Sequence, residues 1–282
     1  MRLSAVILTM GDRPVEAGAA VRSVRDQTGC DAEVVVIGNG ADPGLAGDVT
    51  ETLPENVGIP EGRNVGAGMA AGDVILFLDD DAALAEEDVC GRLLAHFEGD
   101  PRLAVVSMRI VDPATGITQR RHVPRLGHRD PLQGGAVTSF LGGASAVRSE
   151  AFTTLGGFPG EFFYAHEETD FAWRAIDAGW SVRYEPEIVV SHPPTTTGRH
   201  PDADRISMRN RVLLARRNLP LLLVPIYPAT WLILSLARSR SMPRARAIFH
   251  GFAGGWRAPV ERRPIRWSTV WVLTRLGRPP IV

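Results

Sequence analysis

The sequence predicts an α/β protein: an open, mainly parallel sheet flanked by helices, followed by a helical, arginine-rich and apolar C-terminal region. Three observations carry this expectation. Apolar runs without alternation recur through the first 112 residues and are separated by segments of helical period, as in a parallel sheet covered on both faces. The charges are partitioned: residues 1–204 hold 31 Asp and Glu against 16 Arg, a net of −15, while residues 205–282 hold one acid, Glu261, against 15 Arg, a net of +14. With 282 residues, 44% hydrophobic and 22% charged, the chain has the size of one large α/β domain plus an appended region.

The elements follow in order. Residues 4–9 (SAVILT) form a β-rich apolar run, the first buried strand. The run is too short for the core of a signal peptide and passes directly into polar residues. Residues 15–27 have helical period, with Val15, Ala19, Val21 and Val24 apolar. Residues 33–37 (EVVVI) are a second buried strand, followed by a loop rich in Gly, Pro and Asp. A short helix of small residues is expected over 63–71, a third strand over 74–78 (VILFL), a helix over 86–98 with acids in its first turn, and a fourth strand over 104–110. Cys30 and Cys90 are far apart, without CxxC spacing, and are expected to be reduced thiols of a cytosolic protein.

Chemistry concentrates in two acidic clusters. In ILFLDDDAAL, Asp79, Asp80 and Asp81 stand where a buried strand ends, and ligands of doubly wound sheets bind beyond the carboxyl ends of strands. Asp79 and Asp81 are two apart, so an extended backbone points both to one side. Their oxygens suit Mg²⁺ or Mn²⁺, which also bind phosphates and would offset the repulsion. The competing interpretation is a charge cluster ahead of the helix that follows Glu86, Glu87 and Asp88. The second cluster, HEETD, holds Glu167, Glu168 and Asp170 ahead of FAWRAIDAG, where a helix dipole also favours acids. Asp170 and Arg174 are four apart, the spacing of an ion pair that supports structure on one helix face.

Taken together, SAVILTMGDRP, VVVIGNGADP, NVGIPEGRNVGAGMAAGDVILFLDDD and FLGGASAVRSEAFTTLGGFPGEFFYAHEETDFAWRAIDAGWSVRYEPEIVVSH resemble, in order and spacing, the inverting family 2 glycosyltransferases of GT-A (Rossmann-like) fold. The resemblance runs over about residues 3–215. It implies a catalytic domain over 1–204, with a nucleotide-sugar half about 1–112 and an acceptor half about 113–204, followed by a separate region over 205–282. It implies that Asp79 contacts the nucleoside, that Asp80 orients locally, and that Thr9, Arg63 and Asn64 line the nucleotide pocket. Asp81 and His192 resemble the ligands of a metal between the diphosphate oxygens. Glu168 resembles the general base, with Glu167 as runner-up. Gly142 and Gly143 resemble a backbone-approach turn beside donor sugar or acceptor. The family's aromatic after the first-strand Thr is here Met10, and its second-strand Asp-Asn is here Gly38-Asn39; Asp12 or Asn39 could take over contacts to the base. UDP, dTDP and GDP sugars all stay open as donors.

The C-terminal region holds 19 uncharged residues, 219–237, flanked by arginines. The length is marginal for a bilayer span, Pro220, Pro225 and Pro228 oppose a straight helix, and Tyr227 and Trp231 suit an interface. An in-plane membrane-associated segment is expected; a buried or partner-facing helix pair, and a true insertion or hairpin, are the alternatives. The uncharged run favours lipid over nucleic acid. The implied acceptor is a lipid-linked or cell-envelope glycan, met on the cytoplasmic face of the membrane. Two rivals remain: a non-catalytic nucleotide- or carbohydrate-binding scaffold, and a sugar nucleotidyltransferase, which would need a glycine-rich basic loop where TMGDRP stands.

Overall fold

The computed structural model describes residues 1–124, 130–194 and 202–281. Its strands are β1 (Leu3–Thr9), β2 (Ala32–Asn39), β3 (Val49–Leu53), β4 (Val74–Asp79), β5 (Ala83–Leu84), β6 (Leu103–Val111), β7 (Gly135–Ala136), β8 (Ala144–Arg148) and β9 (Ser181–Ser191). They make one sheet in the order β3-β2-β1-β4-β8-β6-β9-β5, with β7 also pairing β9. The pairs β3-β2, β2-β1, β1-β4 and β6-β9 are parallel, and β8 runs antiparallel between β4 and β6.

Successive strand residues enter opposite cores, which is why the runs read as continuously apolar. Leu3, Ala5, Ile7, Leu76 and Leu78 join one core; Val6, Ile75 and Phe77 join the other. The first is covered by α1 (Pro14–Arg25) and α3 (Val89–Gly99). The second lies under α2 (Ile59–Met69), α4 (Ser149–Leu155) and α5 (Glu167–Asp177).

Three local expectations change. β3 lies within the segment read as loop; its VTETL alternates in exposure at the sheet edge, so it lacks the apolar run of a buried strand. α2 starts at Ile59, with Pro60 in its first turn, where a fixed φ is compatible with helix. α3 starts at Val89, so the acids expected in its first turn precede the helix, where Glu86 and Asp88 both pair with Arg92.

Beyond β9 come α6 (Ala203–Asn218), α7 (Ile226–Ala237), α8 (Met242–Arg257) and α9 (Trp267–Arg275). Among the described residues no helix is long and apolar enough to cross a membrane. The proline-interrupted 219–237 stretch forms a turn and then α7, whose 12 residues rise about 18 Å against a hydrocarbon core of roughly 30 Å. These helices share a third core with the α5 side of the sheet: Leu213, Leu219, Tyr227, Ile265 and Leu273 pack with Phe162 and Trp173.

Two buried polar clusters fasten α6 to the segment before α5. Asn210 Nδ2 lies 2.8, 2.8 and 3.0 Å from the carbonyl oxygens of Phe162, Tyr164 and Ala165. That segment contains three non-glycine residues at positive φ, Phe163 (64°), Ala165 (67°) and His166 (76°), a conformation that persists only when surrounding contacts enforce it. Asp170, fully buried, accepts from Arg174 Nε at 2.7 Å, lies 3.2 Å from Arg217 Nε and accepts from Asn218 Nδ2 at 2.5 Å. Arg174 also donates to the carbonyls of Leu155 and Gly157. Asp170→Ala would leave the buried Arg174 guanidinium without its counter-ion and Arg217 with Glu161 alone. It is expected to lower unfolding free energy by about 3–5 kcal/mol, measured by urea denaturation; a shift within error would show that the cluster is not stabilising.

Candidate functional site

The carboxyl ends of β1, β2 and β4 open into a cleft of about 340 Å³. Thr9, Asn39 and Asp79 are the last residues of those strands, so the parallel register itself delivers them to one rim. Asp12, Arg63, Asp80 and Asp81 also line the cleft. Thr9 Oγ1 donates to Asp80 Oδ2 at 2.8 Å, and Arg13 Nη1 lies 2.7 Å from Asp81 Oδ2 and 3.5 Å from Asp80 Oδ1. Burial pushes the Asp80 carboxyl up to about 6; Thr9 and Arg13 oppose that rise, and the flanking aspartates add to it.

His192, just past β9, closes the aspartate cluster. Its Nε2 stands 3.0 Å from Asp81 Oδ1 and 3.7 Å from Asp79 Oδ2, and potential ligand atoms of Asp79, Asp81 and His192 all lie within 4.8 Å of one another. Nδ1 lies 2.6 Å from the Pro193 carbonyl oxygen; a proton on Nδ1 donated there leaves Nε2 as the ligand atom. Burial would lower the His192 pKa, yet hydrogen bonds to Asp79 and Asp81 carry it up to about 10, so a metal ligated by Nε2 would have to displace a proton there. Burial would likewise raise Asp79, but His192 and Arg63 hold it well below the usual carboxylate range. Two carboxylates and one imidazole converging on a small space suit Mn²⁺ or Mg²⁺ in the donors they offer.

Arg63 joins this cluster to the second one. From α2, its Nη2 donates to Asp79 Oδ1 at 2.8 Å, while Nη1 stands 3.8 Å from Glu167 Oε1 and 4.0 Å from Glu168 Oε1. The arginine side chain is 6% exposed, that of Glu167 2% and that of Glu168 21%. Burial raises both glutamates; proximity to Glu168 adds to the shift at Glu167, whose Oε2 has no hydrogen-bond partner. Glycine is required at both positions of the Gly142-Gly143 turn by close approach. A Cβ on Gly143 would overlap the Asp79 carboxylate, and one on Gly142 would overlap Arg63 and Glu168.

Not every expected nucleotide-pocket residue presents its side chain to the cleft. Asn39 lines it but spends its amide on the neighbouring loop, donating to Asn56 and Gly58 and accepting from Val57 N at 2.9 Å. Asn64 points its amide to Glu61 and the Phe158 backbone and is not part of the lining. The anions that Arg63 meets are the protein's own. At Gly38, where the resemblance implied an Asp, a Cβ would overlap the Ala41 carbonyl and Pro43. Met10 lines the cleft, with its sulfur 3.6 Å from Asn56 Nδ2. Sequence reasoning missed Arg13, Asn56, Phe163 and Tyr164, which also line the cleft. Arg13 had a signal, a basic residue just past the first strand; the aromatics are brought there by the positive-φ segment.

The profile of Glycosyl transferase family 2 matches residues 5–156. Among curated proteins, the chain is 33% identical over 151 residues to a pre-mycofactocin glycosyltransferase of Mycobacterium tuberculosis, covering 51% of this chain and 32% of that protein. It is 32% identical over 145 residues to the O-antigen chain rhamnosyltransferase RfbN of Salmonella typhimurium, covering 45% and 43%. The chain thus spans less than half the length of either relative. In fold it is similar to a mannosyltransferase of Pyrobaculum calidifontis solved with GDP-Man and Mn²⁺ (TM-score 0.57, 18% identity, 98% of this chain and 73% of that one). It is also similar to GalNAc-T7 solved with UDP, GalNAc and Mn²⁺ (TM-score 0.64, 16% identity, 90% and 56%). With the profile spanning more than half of the sequence, the chain belongs to glycosyl transferase family 2.

Proposed function

We propose that this chain transfers a sugar from a nucleoside-diphosphate sugar to a hydroxyl acceptor, by single displacement with inversion at the anomeric carbon. The observation that carries it is the convergence of Asp79, Asp81 and His192 with Glu167 and Glu168 on the two sides of Arg63. Structural neighbours solved with GDP-Man or UDP and with Mn²⁺ support the donor class and the metal. UDP, dTDP and GDP all fit this reading. Thr9, Asp12 and Asp79 would face the nucleotide in the cleft.

Asp81 and His192, with Asp79 beside them, would hold Mn²⁺ or Mg²⁺, which when bound neutralises charge on the leaving diphosphate. Glu168 takes the acceptor hydroxyl's proton; it is the more exposed of the two glutamates. Glu167, more deeply buried, raises the proton affinity of the pair. Arg63 holds the Glu168 carboxylate in register with Asp79, and Gly142-Gly143 leaves room for both. Asp170 and Arg174 support the helix from behind.

A lipid-linked or envelope-glycan acceptor is supported by the C-terminal surface. It exposes Leu221, Leu222, Trp267 and Trp271 within a region of net charge +14, a composition that suits an anionic membrane's inner face. The name of the O-antigen relative points the same way.

Incubation with Mn²⁺, a panel of nucleotide sugars and an acceptor extract is expected to release nucleoside diphosphate from at least one donor; release from none would overturn the proposal. Asp81→Ala is expected to abolish both turnover and calorimetric Mn²⁺ binding, and unchanged Mn²⁺ binding would remove Asp81 from the metal site. Glu168→Gln is expected to lower kcat by about 10²–10⁴-fold with the fold intact by circular dichroism; an equal loss confined to Glu167→Gln would move the base there. A base works deprotonated, and burial raises Glu168 above its ordinary value. Turnover is therefore expected to fall with decreasing pH along a limb centred above ~4.3, seen as the midpoint of a kcat–pH profile.

A further inference from the structure

We infer that a cavity among α6, α7 and α8, outside the nucleotide-sugar cleft, binds a phosphate group. The cavity measures about 190 Å³, and its lining includes Arg211, Arg238, Arg244, Trp231, Ser207 and Ser235. The guanidinium of Arg211 stacks on Trp231, its central carbon 3.5 Å from the ring centroid. The Tyr227 phenol is a hydrogen-bond partner of the Arg211 side chain, but the buried Arg211 Nη1 and Trp231 Nε1 atoms have no acceptor of their own. Two adjacent orphan donors beside an open space call for an acceptor-rich occupant, because buried N–H groups are otherwise paired.

Charge selects an anion. The carboxylate in the lining, Asp204, pairs with Arg244 at 2.9 Å, which leaves Arg211 and Arg238 as excess positive charge. Guanidinium forks, an indole N–H and two hydroxyls match the several tetrahedral oxygens of a phosphate better than a planar carboxylate with two. Met208 and Ile248 complete an apolar wall. The group could arrive as free phosphate or as a lipid headgroup; the chemistry recognised is the same. Ser207 Oγ, in the cavity wall, lies 2.9 Å from Nε2 of His166, the left-handed residue immediately before Glu167, so an occupant would sit one contact away from the start of α5.

Isothermal titration of the full chain at constant ionic strength, with inorganic phosphate and with dihexanoyl phosphatidate below its micellar concentration, tests this. Saturable binding of at least one probe is expected, weakened at least about tenfold by Arg211→Gln and more modestly by Arg238→Gln. Arg246→Gln removes the same charge from an exposed α8 position outside the cavity and is expected to leave binding unchanged. Similar binding of both probes identifies the phosphate group alone as the ligand; binding of phosphatidate alone identifies a lipid headgroup. Absence of saturable binding to either probe, binding that survives both cavity variants, or equal weakening by Arg246→Gln overturns the assignment. Circular dichroism checks folding. If Arg211→Gln unfolds, the exposed Arg238 decides the outcome.

Discussion

The site depends on one buried cation. Arg63 is enclosed between Asp79 on one side and the Glu167–Glu168 pair on the other, and its guanidinium lies within cation–π range of Phe77. Without it, three carboxylates from two separate stretches of the sequence would face one another in a largely buried recess, where like charges repel strongly and raise one another's pKa. With it, Asp79 stays ionised, while burial raises both glutamates against the lowering effect of the same arginine. Arg63 favours the ionised form in both clusters; the hydrogen bond from His192 to Asp79 and the burial of the glutamates set the two apart.

The same logic extends outward. The glutamates are fixed only because α5 is fixed, and α5 is approached through three non-glycine residues in left-handed conformation. Such a turn is unfavourable by itself. Asn210 from α6 captures its carbonyls, and Asp170 is tied to Arg217 and Asn218 on that helix. The basic C-terminal helices are therefore part of what holds the candidate base in place, whatever surface they also meet.

Much of the front half was legible from residue order. VILFL and EVVVI read as buried strands because both their faces meet apolar cores, and the two-residue spacing of Asp79 and Asp81 put both carboxylates on one side. β3 was hidden because an edge strand needs no apolar run. The start of α3 was misplaced because acids before a helix look like acids in its first turn. Here Glu86 and Asp88 answer instead to Arg92. Asn39 and Asn64 were named as pocket residues, yet backbone groups and neighbouring side chains that no linear pattern displays take up their amides.

By itself the sequence determined the sheet class, the strand ends that carry acids, and the division into an acidic front and a basic, apolar back. These depend on local period and composition, which sequence states directly. The tertiary structure alone decided that Arg63 spans the clusters of Asp79 and Glu167, and that α6 clamps the turn before Glu167. Those pairings depend on which loops the strand order brings to one rim, and on the close approach that Gly142 and Gly143 permit there. Distance through space, not along the chain, sets the charge balance at this site.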